Sequence, residues 1–365
     1  MHSYSFSIKD TEMIEAGRAM KRIFAPLILL GLFWLSLPLA AEIPCVWTGV
    51  ERVVAVGDLH GDYANFMAIL QGTKVIDREL HWAAGSTHLV QTGDILDRGT
   101  EARRIFDFLI NLEREAEAAG GRVHFLIGNH EEMNISGIAF DYSDYIFVEQ
   151  FKDFLPDDYK QQRENQFRQQ WLARNRSAPH DSAPSAVELR AFWSDVLRSD
   201  RDARDRYLAF FRLHYGPWIA QHNAVIKINE TVFVHGGISL KYSLLPLAEI
   251  NDLLRSDLQN ILAGREFTPN ILFRPDGPLW YRELAQQDEP VFEDELESIL
   301  ANLKARHIVI AHTFQGLQAA RAMKRFGGKV WAIDTGISSY YGGYLGALII
   351  EGKNFQTWGV NNGQE

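Results

Sequence analysis

Three apolar runs between residues 52 and 131 each break at the same kind of turn, and that repetition limits the folds open to this chain. Val53, Val54, Ala55 and Val56 lead into GDLHGD (57–62), and His88, Leu89 and Val90 lead toward GDILDRG (93–99). A third run, RVHFLIGNHE, reads as a strand to its end and carries GNHE (128–131). Between them, YANFMAILQG reads as a helix. So does EARRIFDFLINLEREAEAAGG, with Ile105, Phe106, Leu109, Ile110 and Leu112 at helical spacing and Gly120 and Gly121 closing it. Strands alternating with helices at this pitch predict βαβ units and an α/β fold. In open α/β sheets, ligands gather outside the carboxyl ends of the strands. The chain puts Asp58 and His60, then Asp94, Asp97 and Arg98, then Asn129, His130 and Glu131 at those ends.

Taken alone, GDLHGD is compatible with ordinary loop punctuation. Its other reading is a pair of metal ligands, because strand residues two apart point the same way and would aim Asp58 and His60 together. Strand signals return in NAVIKI, TVFVHGGI, RHIVIAHT, KVWAID and YLGALIIEG. His235 and His312 end two of these runs before glycine-containing turns, so they are candidates to join the first cluster. His88, His124 and His307 read instead as satisfied core or surface histidines. From about residue 140 to 215 the chain is rich in Asp, Arg and Gln with interleaved aromatics, which predicts a helical insertion with a loop around SAPHDSAPS. Its charges are mixed in sign, as on solvated helix faces.

The formal charge of −10, from 37 basic and 47 acidic residues, argues against a non-specific nucleic-acid binder. Lys21 and Arg22 precede the apolar stretch Ile23 to Ala40, which ends in small residues. That pattern predicts a secretory signal peptide and an exported, periplasmic protein, with residues 1–41 as extension and signal and Met20 as an alternative start. The same stretch is at the lower length margin for a membrane-spanning anchor. After cleavage, the expectation is a single domain over 42–365 with no membrane segment. Cys45 is the only cysteine, which excludes an internal disulfide, and it reads as a partly exposed bystander.

In order, GDLHGD, GDILDRG, GNHE, VHGG and AHT resemble the motifs of the calcineurin-like metallophosphoesterases, closest to the phosphoprotein-phosphatase branch. Within that branch, GPLWYRE (277–283) is similar to the Shewanella-like bacterial phosphatases. The resemblance spans residues 51–350 outside the insertion, and it implies an α-β-β-α sandwich of mixed sheets. It also implies two divalent or trivalent transition-metal ions. Asp58 and His60 would hold the first, Asp94 would bridge, and Asn129, His235 and His312 would complete the second. Mixed imidazole nitrogens and carboxylate or amide oxygens suit Mn, Fe or Zn better than Ca or Mg. Arg98 offers a planar fork for phosphate oxygens, and Arg282 matches a second phosphate-binding arginine. By the same resemblance His130, paired with Asp97, is the proton donor to the leaving alcohol, and a metal-bridging hydroxide is the nucleophile. Glu131 and Glu132 are not ligands in that pattern. Trp280 and Tyr281 read either as neighbours of the site or as core.

The implied activity is phosphomonoester hydrolysis on phosphorylated proteins, at Ser/Thr or Tyr, or on small phosphoesters. Hydrolysis of dinucleoside polyphosphates is a second enzymatic reading. A phosphate-binding module without catalysis is a third, against which the intact set of seven metal and acid residues speaks.

Overall fold

The computed structural model describes residues 43–175, 182–315 and 324–360; the predicted signal segment and part of the SAPHDSAPS loop lie outside the described residues. The chain runs from β1 (Val46–Trp47) and β2 (Arg52–Val56) through α1 (Tyr63–Gly72), β3 (His88–Gln91), α2 (Ala102–Ala118) and β4 (Arg122–Phe125) to α3 (Asn129–Ser136). Helices follow as α4 (Val148–Asp153), α5 (Asp157–Arg174), α6 (Ala186–Ser199), α7 (Arg201–His214) and α8 (Gly216–Ile219). Then come β5 (Val225–Ile228), β6 (Thr231–Val234), α9 (Leu240–Ser243), α10 (Leu247–Leu262), α11 (Glu283–Gln286) and α12 (Glu289–Leu303). The chain closes with β7 (His307–Ile310), β8 (Lys324–Arg325), β9 (Val330–Ala332), β10 (Leu345–Glu351) and β11 (Asn354–Val360). Among the described residues, no helix is long and apolar enough to cross a membrane.

These strands form two mixed sheets, ordered β1-β5-β6-β7-β9-β8 and β11-β10-β2-β3-β4. In the second sheet β2, β3 and β4 run parallel, and β10 is antiparallel to both β2 and β11. Val53 to Val56 are buried on both faces, which is why this central strand is a continuous apolar run rather than an alternating one. Helix α1 starts where the Asp62 side chain accepts from the Asn65 N–H at 3.1 Å. Helix α2 lays Ile105, Phe106, Leu109, Leu112 and Ala116 into the core. One apolar core joins the helices and both sheets. The α/β class and the two mixed sheets are as predicted.

Three local expectations change. GNHE does not end a strand: β4 stops at Phe125, and Asn129 to Glu131 form the first turn of α3. The Glu131 carboxylate accepts the Gly128 N–H at 2.9 Å, an N-terminal brace that favours helix there. Asp58 and His60 lie past the end of β2, and His60 sits at φ +42°, so a loop rather than strand alternation aims them. Cys45 is buried, not partly exposed, and its carbonyl accepts from the Lys227 N–H at 2.8 Å alongside β5.

The segment read as solvated helix faces has an aromatic interior. Phe151, Phe154, Trp193, Tyr207 and Phe211 are fully buried, and Phe211 meets Phe106 of α2 edge-on at 6.1 Å. Trp193→Ala removes one of the largest of these side chains and should cost about 3–5 kcal/mol of stability. Urea unfolding followed by fluorescence checks this; a loss below about 1 kcal/mol would mean that these helices are not packed as described.

Candidate metal and phosphate site

The ends of β2, β3, β6 and β7 and the start of α3 converge on one buried cluster. Several of its residues occupy the left-handed region: His60 (φ +42°), Asp94 (+58°), Asp97 (+69°), Arg98 (+60°) and His312 (+64°). Each such non-glycine position costs roughly 1–3 kcal/mol, and such strain collects where function needs an unusual side-chain direction. Two glycines make the approach close enough. A Cβ on Gly128 would lie 2.2 Å from Asp94 Oδ1, and one on Gly93, itself at φ +99°, 2.6 Å from the Gly128 nitrogen.

His235 donates Nδ1–H to the Thr92 carbonyl at 2.8 Å, which leaves Nε2 as a lone pair. That nitrogen faces Asn129 Oδ1 at 2.9 Å, His312 Nδ1 at 3.1 Å and Asp94 Oδ2 at 3.3 Å. Of these four atoms, only the imidazole of His312 can carry a hydrogen. If it does, its buried Nε2, which has no hydrogen-bond partner, is left as a bare lone pair. Four converging acceptors with at most one hydrogen fit a cation. His60 shows the same logic: Nδ1 pairs with the Leu96 carbonyl at 2.9 Å, leaving Nε2 for the site. Burial pushes the His60 ring down to about 3 and lowers His312 well below the ordinary histidine value, so both stay neutral, as metal ligands must be.

The carboxylates are crowded. Burial, with Asp334 and then Asp94 beside it, raises the Asp58 carboxyl well above its usual range. Burial likewise pushes Asp334 up to about 6. Both effects describe negative charge that lacks a counter-charge.

Two donor groups within 4.8 Å are present among the described residues, His60–Asp94–His130 and Asp94–His235–His312, and Asp94 is common to both. Asp58 belongs to neither; its Oδ1 accepts the His312 N–H at 3.3 Å and lies 3.8 Å from His235 Nδ1. The predicted ligands Asp58, His60, Asp94, Asn129, His235 and His312 are thus all buried around this one cluster.

His130 Nδ1 pairs with Asp97 Oδ2 at 2.6 Å, and its Nε2 lies 3.3 Å from Arg98 Nη1. Burial alone would lower the His130 pKa; Asp94 and Asp97 raise it above the ordinary value. Arg98 has its guanidinium over the Tyr145 ring at 4.4 Å and near Tyr341 and Tyr340 at 5.4 and 5.9 Å. It opens into a recess of about 460 Å³ lined in part by Gly61, Asp62, Phe147, Ser339 and Tyr340. Arg282 reaches the cluster too, donating Nη1–H to the His312 carbonyl at 3.0 Å and to Thr313 Oγ1 at 3.1 Å. Trp280 packs edge-on to His312 at 5.8 Å, beside the site, whereas Tyr281 is buried.

Other residues enter that the sequence reading had not assigned. Asp334 lies just past the end of β9, as Asp58 and Asp94 follow their strands, a signal that was available in AIDTG. Glu131 receives the N–H groups of Gly128, Asp94 and Ile95, each at 2.9 Å. Glu132 accepts from Trp280 Nε1 at 2.7 Å and from the Phe273 N–H at 2.5 Å, tying α3 to the GPLWYRE loop. Neither glutamate belongs to the two donor groups; Glu131 holds backbone, and Glu132 holds the Phe273 N–H and the Trp280 indole.

The chain is similar to Shewanella-like protein phosphatase 2 of Arabidopsis thaliana, with 30% identity over 73% of this chain and 66% of that one. It is 27% identical to Shewanella-like protein phosphatase 1 of Plasmodium berghei over 80% of this chain and 68% of that one. Among solved structures, the cold-active protein-tyrosine phosphatase of a psychrophilic Shewanella species superposes with a TM-score of 0.60 at 27% identity. That match covers 87% of this chain and 82% of the other. A family model for calcineurin-like phosphoesterases matches residues 51–316, from the strand before the first turn to just past His312, and the chain belongs to that family of hydrolases.

Proposed function

We propose that the protein is a dinuclear metal-dependent phosphomonoesterase acting on phosphorylated proteins. The observation that carries this reading is the convergence of Asp94, Asn129, His235 and His312 acceptors beside His130, whose Nε2 lies 3.9 Å from Asp94 Oδ2 and 3.3 Å from Arg98 Nη1. Asp58, His60 and Asp94 would hold one ion, and Asp94, Asn129, His235 and His312 the other. When bound, two such ions supply a water acidified toward neutral pH and Lewis acidity toward phosphate oxygens.

The rest is the work of the chain's own side chains. Arg98 presents a fork to two phosphate oxygens, held flat by the tyrosine rings around it. Arg282, bonded to the His312 carbonyl, would be the second cation for the ester. The bond from phosphorus to the leaving oxygen breaks as that oxygen takes the Nε2 proton of His130, while a water oxygen forms the new bond. Asp97 holds Nδ1–H and stabilises the charged ring before transfer. The Arg98 guanidinium, 3.3 Å from His130 Nε2, opposes a metal ion there and also opposes the protonated ring, but for the ring Asp94 and Asp97 outweigh it. Export of the mature chain, from the N-terminal pattern, remains part of the proposal.

For substrate, we favour phosphotyrosine over phosphoserine. Phe147 and Tyr340 border the recess at Arg98, and Tyr142 stacks on Tyr145 with centroids 4.6 Å apart. A substrate ring against such walls gains about 0.5–1.5 kcal/mol, or roughly 2- to 10-fold in kcat/KM.

Chelator-stripped protein refilled with Mn²⁺ should regain p-nitrophenyl phosphate hydrolysis. Asp94→Asn should fail to regain it, and calorimetry should find two ions per chain in wild type and fewer in this variant. Retained activity without metal would refute the dinuclear reading. On matched peptides, Tyr340→Ala should lower the phosphotyrosine-to-phosphoserine ratio of kcat/KM by about 2- to 10-fold; an unchanged ratio would remove the aromatic wall from specificity.

A further inference from the structure

Asp97 stands at the centre of a closed ring of buried hydrogen bonds. Its Oδ2 accepts from His130 Nδ1 at 2.6 Å and from Asn134 Nδ2 at 2.9 Å, and its Oδ1 accepts from Gln150 Nε2 at 2.9 Å. The Asp97 backbone N–H donates to Gln150 Oε1 at 2.7 Å. Gln150 Nε2 also reaches Tyr207 Oη at 3.0 Å, and the Tyr207 hydroxyl donates to Asn134 Oδ1 at 2.7 Å. Asp97, Asn134, Gln150 and Tyr207 are wholly buried. Gln150 lies on α4 and Tyr207 on α7, both within the helical segment 140–215.

The direction of every bond in the ring follows from one group that can only donate. Because the Asp97 N–H must donate, the facing atom of Gln150 is its oxygen, so the other is NH₂. That NH₂ donates to the Asp97 carboxylate and to Tyr207, so the tyrosine hydrogen must go on to Asn134. The amide of Asn134 then presents its NH₂ to Asp97 and to the His130 carbonyl at 2.9 Å. Burial, with Asp97 adding to it, raises the Tyr207 phenol well above its ordinary value, so it stays a donor. Asp97 occupies a strained φ of +69°, a conformation that persists only where the surroundings over-determine it. Gln150 grips both its backbone and its carboxylate, and the Tyr145 carbonyl takes the N–H of the next residue, Arg98, at 2.8 Å.

We propose that Gln150 and Tyr207 are positioning residues for the general acid, supplied by the helical segment: they lock the Asp97 carboxylate against His130 Nδ1 and so fix where Nε2 delivers its proton. The proposal rests on the phosphatase reading and on the acid role of His130. Its consequence is specific to the leaving group. A well-placed acid protonates the departing oxygen and makes turnover insensitive to that oxygen's basicity; a loosely held acid does not.

The test compares Mn²⁺-loaded wild type, Tyr207→Phe and Gln150→Met on p-nitrophenyl phosphate and on phenyl phosphate, whose leaving group is far more basic. Tyr207→Phe keeps the ring stacked on Phe151 and removes only the hydroxyl. Expected is a fall in kcat on phenyl phosphate of about tenfold, part of the roughly 10²–10⁴ that a general acid contributes. On p-nitrophenyl phosphate the fall should be under about twofold, with KM unchanged on both. Thermal melts identify a variant that has not folded, in which case Gln150→Met is the deciding one. Equal losses on both esters, or none, in a folded and active enzyme would overturn this proposal alone. A wild type inactive on both esters would overturn the phosphatase reading and this proposal with it.

Discussion

One buried carboxylate holds the two turns on which the site is built. Glu131 takes the N–H groups of Asp94 and Ile95 from the turn after β3, and that of Gly128 from the start of α3. Those turns supply Asp94, Asp97 and Arg98 on one side and Asn129 and His130 on the other. Burial pushes the Glu131 carboxyl up to about 7, so holding it here is costly unless its acceptors are filled. Three backbone donors fill them. The Asp94 side chain then closes the arrangement by accepting the His130 N–H at 3.0 Å. Through these bonds the two turns brace each other at Asp94, where the backbone enters the left-handed region.

The charge balance of this junction has the same origin. Asp58, Asp94 and Asp334 are brought together under burial while His60 and His312 are kept neutral, so the folded chain concentrates acceptors and uncompensated negative charge. A protein core relieves that by taking up a proton or by holding something cationic there. Arg98 and Arg282 do not fill this need: one is flanked by tyrosine rings and the other donates to the His312 carbonyl and Thr313.

Much of this was legible in the sequence, for a physical reason. Each turn follows an apolar run and carries its functional residues within a few positions, so Asp58, His60, Asp94, Asn129 and His130 announce themselves locally, and the α/β order follows from strand and helix spacing. Residues that act through long-range contacts do not. Asp334 meets Asp58 across most of the chain, and a carboxylate after a strand has no local mark that says which other carboxylate it will face. Glu131 sits inside a recognisable motif, yet its partners are backbone N–H groups, which leave no trace in residue identity. Reading GNHE as the end of a strand had the same cause, because the capping bonds of Glu131 decide for helix.

Gln150 and Tyr207 were the least legible of all. Each lies in a stretch whose mixed charges and scattered aromatics look like solvated helix. Burial separates them from their neighbours: Gln150 is the fully buried polar residue of α4, next to Phe151, and Tyr207 stacks on that same phenylalanine at 5.7 Å. The aromatic interior that includes Phe151, Tyr207 and Phe211 therefore has a second consequence beyond stability. It excludes water from Asp97, so the carboxylate can be satisfied only by side chains with fixed directions. Packing of the helical segment onto α2 and the geometry of the His130–Asp97 pair are then a single structural fact, and a change in the one must be felt in the other.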